Sequence, residues 1–166
     1  GTASSPPRPT PSTWGSKPAM PSWAEDTRRF LEAHRLGHLA TTGPDGMPHV
    51  VPVCYALDDA ALYVVADAKP KRRPARHLER LRNVRANGRA AIVVDDWDED
   101  WTRLGWVMVR GTATVVVDDA VHATALGLLR ARYPQYRTMP LDDPVEHPIV
   151  RLEPVRVRSW RASTPR

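Results

Sequence analysis

The sequence predicts a small antiparallel β-barrel with inserted helices. Three observations carry this expectation. Short β-branched stretches recur along the chain, tight-turn signals separate them, and helical periodicity appears only in insertions. Strands and helices therefore do not alternate strictly, which argues against a doubly wound parallel sheet. With 166 residues and 42% hydrophobic content, the chain suffices for one domain with a sizeable core and is short for two.

Residues 1–21 are dominated by Pro, Ser and Thr and cannot bury enough apolar surface to offset ordering entropy. They are expected to be a disordered tail or a cloning remnant, with Met20 as a candidate native start, and residues 22–162 to be the single domain. Ser22 is placed to cap a helix with Glu25 three residues on, and Phe30, Leu31 and His34 follow at helical spacing until Gly37. Residues 37–42 and 49–57 read as a strand hairpin around Gly43-Pro44-Asp45-Gly46. Asp58-Asp59 turns the chain into a third strand over residues 61–66. Between residues 73 and 86, Leu78, Leu81 and Val84 form one narrow helical stripe with arginines over the other faces, and Asn87-Gly88 stops it. A fourth strand over 90–94, an acidic loop over 95–101 and two strand-like stretches around Gly111 follow. A helix over 119–133 ended by Pro134, an irregular connection and a last strand over 149–160, with Val155 and Val157 alternating, complete the chain.

The formal charge of +5 and a pI near 9.9 permit acidic ligands, but solvated arginines alone give the same totals. Placement is more informative than the sum. Arg outnumbers Lys 21 to 3, and two of the three lysines, Lys69 and Lys71, share one turn. The single cysteine, Cys54, excludes an internal disulfide and a multi-cysteine zinc cluster, and it falls in an apolar strand as a small hydrophobe. A reducing, cytoplasmic setting is expected. No apolar run approaches the roughly 18 residues of a spanning helix, so no membrane partner is expected.

The stretch Asp67-Ala68-Lys69-Pro70-Lys71-Arg72-Arg73 lies between a strand and a helix start, where free backbone amides also favour an anion. Charge-assisted hydrogen bonds contribute roughly 1.5–3 kcal/mol each, so several would hold a phosphate firmly. A solvated basic turn has the same composition. What separates the two is the strand Val64-Val65-Ala66 that feeds the turn: its small side chains and backbone offer a surface for a flat heterocycle, and they would also serve as plain sheet core. The loop Asp95-Asp96-Trp97-Asp98-Glu99-Asp100-Trp101 lacks the glycine and distant glutamate of an EF-hand, so it is expected to be solvated or to pair with basic residues. The six histidines show no ligand spacing, and His49, at the start of the returning strand, is the one to watch. No metal is expected. Nucleic-acid binding by the basic helix is disfavoured because interleaved aromatics are missing there.

Pro48-His49-Val50-Val51-Pro52-Val53, then Leu62-Tyr63-Val64-Val65, then Lys69-Pro70-Lys71, then Leu81-Arg82-Asn83-Val84-Arg85-Ala86-Asn87, form a series that resembles the pyridoxamine 5'-phosphate oxidase-like split-barrel flavoproteins. The nearest resemblance is to their deazaflavin (coenzyme F420)-dependent actinobacterial branch, and it covers about residues 23–160. It implies an antiparallel, homodimeric split β-barrel with a cofactor in each interface cleft. By the same resemblance, His49, Val50, Val51 and Pro52 lie on one ring-lining strand and Val64, Val65 and Ala66 on a second. Lys69, Lys71 and Arg72 match the phosphate positions, and Trp106 reaches the cofactor of the partner. The charged residues that vitamin B6 oxidases carry on the strand here occupied by residues 51–55 are absent, which argues against pyridoxamine phosphate as substrate. The implied activity is hydride transfer from F420 to an unsaturated small molecule, with no catalytic side chain. FMN is the alternative cofactor, and a non-catalytic flavin or deazaflavin carrier the alternative function.

Overall fold

A computed structural model describes residues 23–67 and 74–162. Its elements are α1 (Glu25–Ala33), β1 (Gly37–Thr42), β2 (Pro48–Val53), β3 (Ala56–Leu57), β4 (Leu62–Val65), α2 (Glu79–Asn87), β5 (Arg89–Asp96), β6 (Gly105–Val115), α3 (Asp119–Arg132) and β7 (Ile149–Arg161). The seven strands form one antiparallel sheet in the order β2-β1-β5-β6-β7-β4-β3. Its two edges, β2 and β3, are joined by Cys54-Tyr55 alone. Three Cα steps span at most about 11 Å, so the sheet must curl until its edges meet at that corner. The result is an antiparallel half-barrel, as expected for a split barrel.

Side-chain alternation decides what the curl encloses. Leu39 on β1, Ile92 and Val94 on β5, and Val107 and Val109 on β6 point inward and are at most 1% exposed. Phe30 and Leu31 of α1 and Leu81 and Val84 of α2 plug this interior. A second core forms on the other side of β4, where Tyr63, Val65 and Ile149 pack against Leu126 and Leu129 of α3. Asp118 caps α3 by accepting from the Val121 amide at 2.9 Å. Among the described residues no helix is long and apolar enough to cross a membrane.

Four expectations need correction. The first helix starts at Glu25 behind Ala24, with no side-chain cap, and Ser22 lies outside the described residues. Glu25 and Asp26 instead complement the helix dipole and pair with Arg29 at 2.9 and 3.7 Å. The stretch 49–57 is two strands, because the Tyr55 backbone leaves the ladder for the Tyr133 hydroxyl, at 3.0 Å from its N and 2.8 Å from its O. The stretch around Gly111 is one strand with a register shift between Arg110 and Gly111. A Cβ at Gly111 would fall 1.8 Å from the Glu153 carbonyl oxygen, so only glycine permits that approach. The basic helix begins at Glu79 after a 3₁₀ turn over Ala75–His77, and its apolar stripe is flanked by buried Arg80 and Asn83 rather than by solvated arginines alone.

The β3–β4 turn is held by Asp58, which accepts from the Ala60 and Ala61 amides and the Tyr63 hydroxyl, each at 2.8 Å. Partial burial pushes its carboxyl up, but these hydrogen bonds outweigh burial and hold it below the ordinary value of 3.8. A depressed folded-state value gives stability that is present above the unfolded value and lost as pH falls through the folded one. Asp58→Asn is therefore expected to cost about 1–2 kcal/mol at pH 7 and to flatten the acid limb below about pH 4 in denaturant titrations. An acid limb like that of the parent would contradict this.

Candidate cofactor site

Two strand edges frame a cleft. β2 is paired only by β1, and β4 is flanked by β3 only at Leu62 and Tyr63. At Val64 and Val65 the pairing is with Val150 and Ile149 of β7, and among the described residues no strand takes the opposite edge. From the corner at Cys54-Tyr55, β2 traced back towards Pro48 and β4 traced on towards Asp67 leave in the same sense with no ladder between them. Unpaired N–H and C=O groups on such edges are available to a polar, flat ligand.

The predicted residues divide around this cleft. Val50 is 60% exposed and Pro52 is exposed on the outer face, while His49 and Val51 turn inward. Val64, Val65 and Ala66 are 4%, 2% and 1% exposed, with Val64 and Ala66 in the inner core and Val65 in the second. Their side chains are core, and what β4 presents to the cleft is backbone. Lys69, Lys71 and Arg72 lie outside the described residues. Trp106 is half-buried on the outer face of β6, opposite Asp95 and Trp160. Three strand spacings, about 14 Å, separate it from β2, so this chain does not bring it to its own cleft.

His49 departs from the other histidines. His34 bonds the Phe30 carbonyl at 2.7 Å and Asp96 at 2.6 Å, and His147 bonds the Ala66 carbonyl at 2.9 Å. His49 sits beneath β2 with Nε2 3.9 Å from a Glu79 carboxylate oxygen of α2, and its Nδ1 is buried with no hydrogen-bond partner among the described residues. An orphaned buried polar atom beside the cleft is a vacancy in the hydrogen-bond pattern that a ligand's polar group would fill.

The strand leading to the lysines ends in a buried polar group that sequence reasoning missed. Asp67 is 4% exposed and accepts from the Tyr136 hydroxyl at 2.9 Å. Arg80, in the first turn of α2, is buried close by: burial pushes its guanidinium down and the Asp67 charge acts against that. Burial, reinforced by Asp67, drives the Tyr136 hydroxyl well up, so it remains a protonated donor. Asp67, Tyr136 and Arg80 thus form one buried electrostatic anchor. The only signal for it was an acid at the end of an apolar strand; Tyr136 and Arg80 lie 69 and 13 residues away.

The family model for pyridoxamine 5'-phosphate oxidase matches residues 24–161. The chain belongs to the pyridoxamine 5'-phosphate oxidase family. A relative of this family member is the 5a,11a-dehydrotetracycline/5a,11a-dehydrooxytetracycline reductase of Streptomyces rimosus, 36% identical over 87 residues, which are 51% of this chain and 57% of the relative. The match therefore spans little more than half the relative's length. Among solved structures, an F420 reductase is 29% identical, with 82% of this chain and 98% of that one covered and a TM-score of 0.60. A conserved hypothetical protein, Rv2991, of Mycobacterium tuberculosis shares the fold at 24% identity, over 92% of this chain and 95% of that one, with a TM-score of 0.68.

For this member of the family the anchor makes a testable statement. Tyr136→Phe leaves the Asp67 carboxylate short of a donor and is expected to cost about 1–3 kcal/mol in denaturant titrations. It is also expected to speed tryptic cleavage after Lys71 and Arg72, which follow Asp67 closely in the sequence. Unchanged stability together with an unchanged cleavage rate would remove the anchor.

Proposed function

We propose that the protein is a homodimeric oxidoreductase that binds coenzyme F420 in the cleft between β2 and β4 and reduces an unsaturated small molecule, with FMN as the alternative cofactor. The observation that carries the reading is the buried His49 Nδ1, unpartnered among the described residues, beside two open backbone edges. Membership of the family supports a cofactor of the flavin type. The F420 reductase, at 29% identity over 82% of this chain, and the Streptomyces reductase support a reductive direction.

When bound, a deazaflavin supplies a hydride from its central ring carbon and reacts poorly with oxygen. The chain's own work is to bind, orient and exclude water. The backbone of Val50, Val51 and Pro52 on one side and of Val64 and Val65 on the other provides hydrogen-bonding edges for the ring, while the Ala66 amide and carbonyl are taken by Pro148 and His147. The β4 edge is held by side chains locked into two cores, so its position is fixed before the ligand arrives. Lys69, Lys71 and Arg72 supply the cations for the phosphate, and His49 Nδ1 meets a polar group from below. Trp106, which is remote from its own cleft, covers the ring bound to a second copy. No side chain is asked to act as acid or base. The single cysteine and the absence of a disulfide suit a reducing, cytoplasmic setting.

Titration of the protein with F420 and with FMN, followed by tryptophan fluorescence, is expected to show saturable quenching with the tighter constant for F420. Lys69→Ala with Lys71→Ala is expected to weaken that affinity at least tenfold without changing the unfolding midpoint. Equal affinity for the double variant and the parent would overturn the phosphate assignment, and tighter binding of FMN would exchange the cofactor.

A further inference from the structure

The outer face of the sheet carries a groove of about 890 Å³ that includes Arg89, Arg110 and Arg156 and has no carboxylate among its lining residues. Arg110 and Arg156 stand directly opposite one another on β6 and β7, and Ala91 of β5 faces Arg110 from the other side. Like charges paired across strands repel. Among the described residues, none of these three arginine side chains has a hydrogen bond or an ion pair. Four arginines elsewhere, Arg28, Arg76, Arg130 and Arg151, do have carboxylate partners. The groove is a concentrated positive site that this chain leaves unanswered.

The missing charge stands at the far end of the same hairpin. The loop between β5 and β6 carries Asp95, Asp96, Asp98, Glu99 and Asp100, with Trp97 and Trp101 71% and 69% exposed beside them. Among the described residues its ion-pair partners are Arg103, 3.6 Å from both Asp98 and Asp100, and His34 and His38 at the loop's root. Five residues of extended β5, on the order of 16 Å, separate Asp96 from Ala91 at the groove. A loop that caps the hairpin at one end cannot fold back to its other end, so within one chain the two charges never meet. Between them the outer face presents Val50, Val93 and Met108, a partly exposed apolar strip.

We propose that the groove of Arg89, Arg110 and Arg156 is the seat of the acidic loop of a second copy of this chain. A two-fold axis crossing the middle of the β5–β6 hairpin lays each loop over the other copy's groove and closes the apolar strip between them, so one contact pattern is used twice. The proposal rests on the dimeric part of the functional reading and deepens it. It assigns which charges set the register of the two barrels, and hence where Trp106 of one copy stands relative to the cleft of the other. Charge pairing at a partly exposed interface of this kind weakens with salt.

The test uses two full-length variants, Arg110→Glu with Arg156→Glu, and Asp98→Arg with Glu99→Arg, in sedimentation equilibrium at 0.05 and 0.5 M salt. The parent is expected to dimerise more tightly at the lower salt. Each variant alone, with like charges facing at both contacts, is expected to dimerise at least tenfold more weakly than the parent. An equimolar mixture of the two is expected to recover a one-to-one dimer, because groove and loop are then opposite in sign at both contacts. That recovery also shows that neither variant has failed to fold. Weak variants with no recovery on mixing would overturn the proposal. Variants that dimerise like the parent would overturn the loop–groove contact and leave the dimeric reading standing, whereas a monomeric parent would overturn both. A groove variant that dimerises normally but loses affinity for F420, FMN or inorganic phosphate would reassign the groove to a small anion and overturn the proposal.

Discussion

The fold depends on a two-residue crossing. Cys54-Tyr55 carries the chain from one edge of a seven-stranded sheet to the other, and that step is possible only if the sheet is already curled. Backbone polarity makes the crossing costly, since Tyr55 has left both ladders. The Tyr133 hydroxyl at the end of α3 meets the Tyr55 backbone, while the Tyr55 hydroxyl donates to the Leu31 carbonyl at 2.6 Å. Arg132 also donates to the Leu31 carbonyl at 2.9 Å and lies over the Tyr55 ring at 5.0 Å. One corner thus gathers α1, α3 and both sheet edges, and its desolvation raises the Tyr55 hydroxyl far above the ordinary value, so it stays a donor.

The cleft is a by-product of that corner. Because β2 and β4 diverge from a fixed point, each keeps one backbone edge unpaired, and the side chains behind those edges are free to build cores instead of a pocket. The division suits chemistry that belongs to a cofactor, since the backbone offers hydrogen bonds that do not depend on a particular side chain. In the proposed reading, side-chain identity is important only where charge is needed, at Lys69, Lys71, Arg72 and His49.

Electrostatics is handled in two opposite ways. Asp67, Arg80 and Tyr136 are buried together, and removing one partner there would strand a charge or an acceptor in low dielectric. On the outer face, Arg89, Arg110 and Arg156 are left without partners in a groove open to solvent, where repulsion is moderated by water and can be relieved by an incoming acid. The first arrangement is internal to the chain, and the second is suited to recognition between chains.

The sequence by itself determined the strand and helix composition, because alternation, turn residues and the Leu78, Leu81, Val84 stripe are local signals. It also determined the family, through a series of motifs each of which is weak alone. It placed the first helix's start, the break at Tyr55 and the continuity of β6 wrongly, since these turn on a distant Tyr133 hydroxyl and on a strand register across Gly111. Of the proposed site, the two strands and the lysine-bearing stretch were legible as motifs, and their cofactor roles belong to the proposal. That Val64 and Val65 give backbone and not side chains was not legible, and neither was the Asp67–Tyr136 bond or the unpartnered Nδ1 of His49. Those facts exist only once strands remote in sequence are paired, because burial and hydrogen-bond satisfaction are properties of neighbours in space. Tertiary structure alone decided that an acidic loop and a basic groove, both visible as letters, stand at opposite ends of one hairpin.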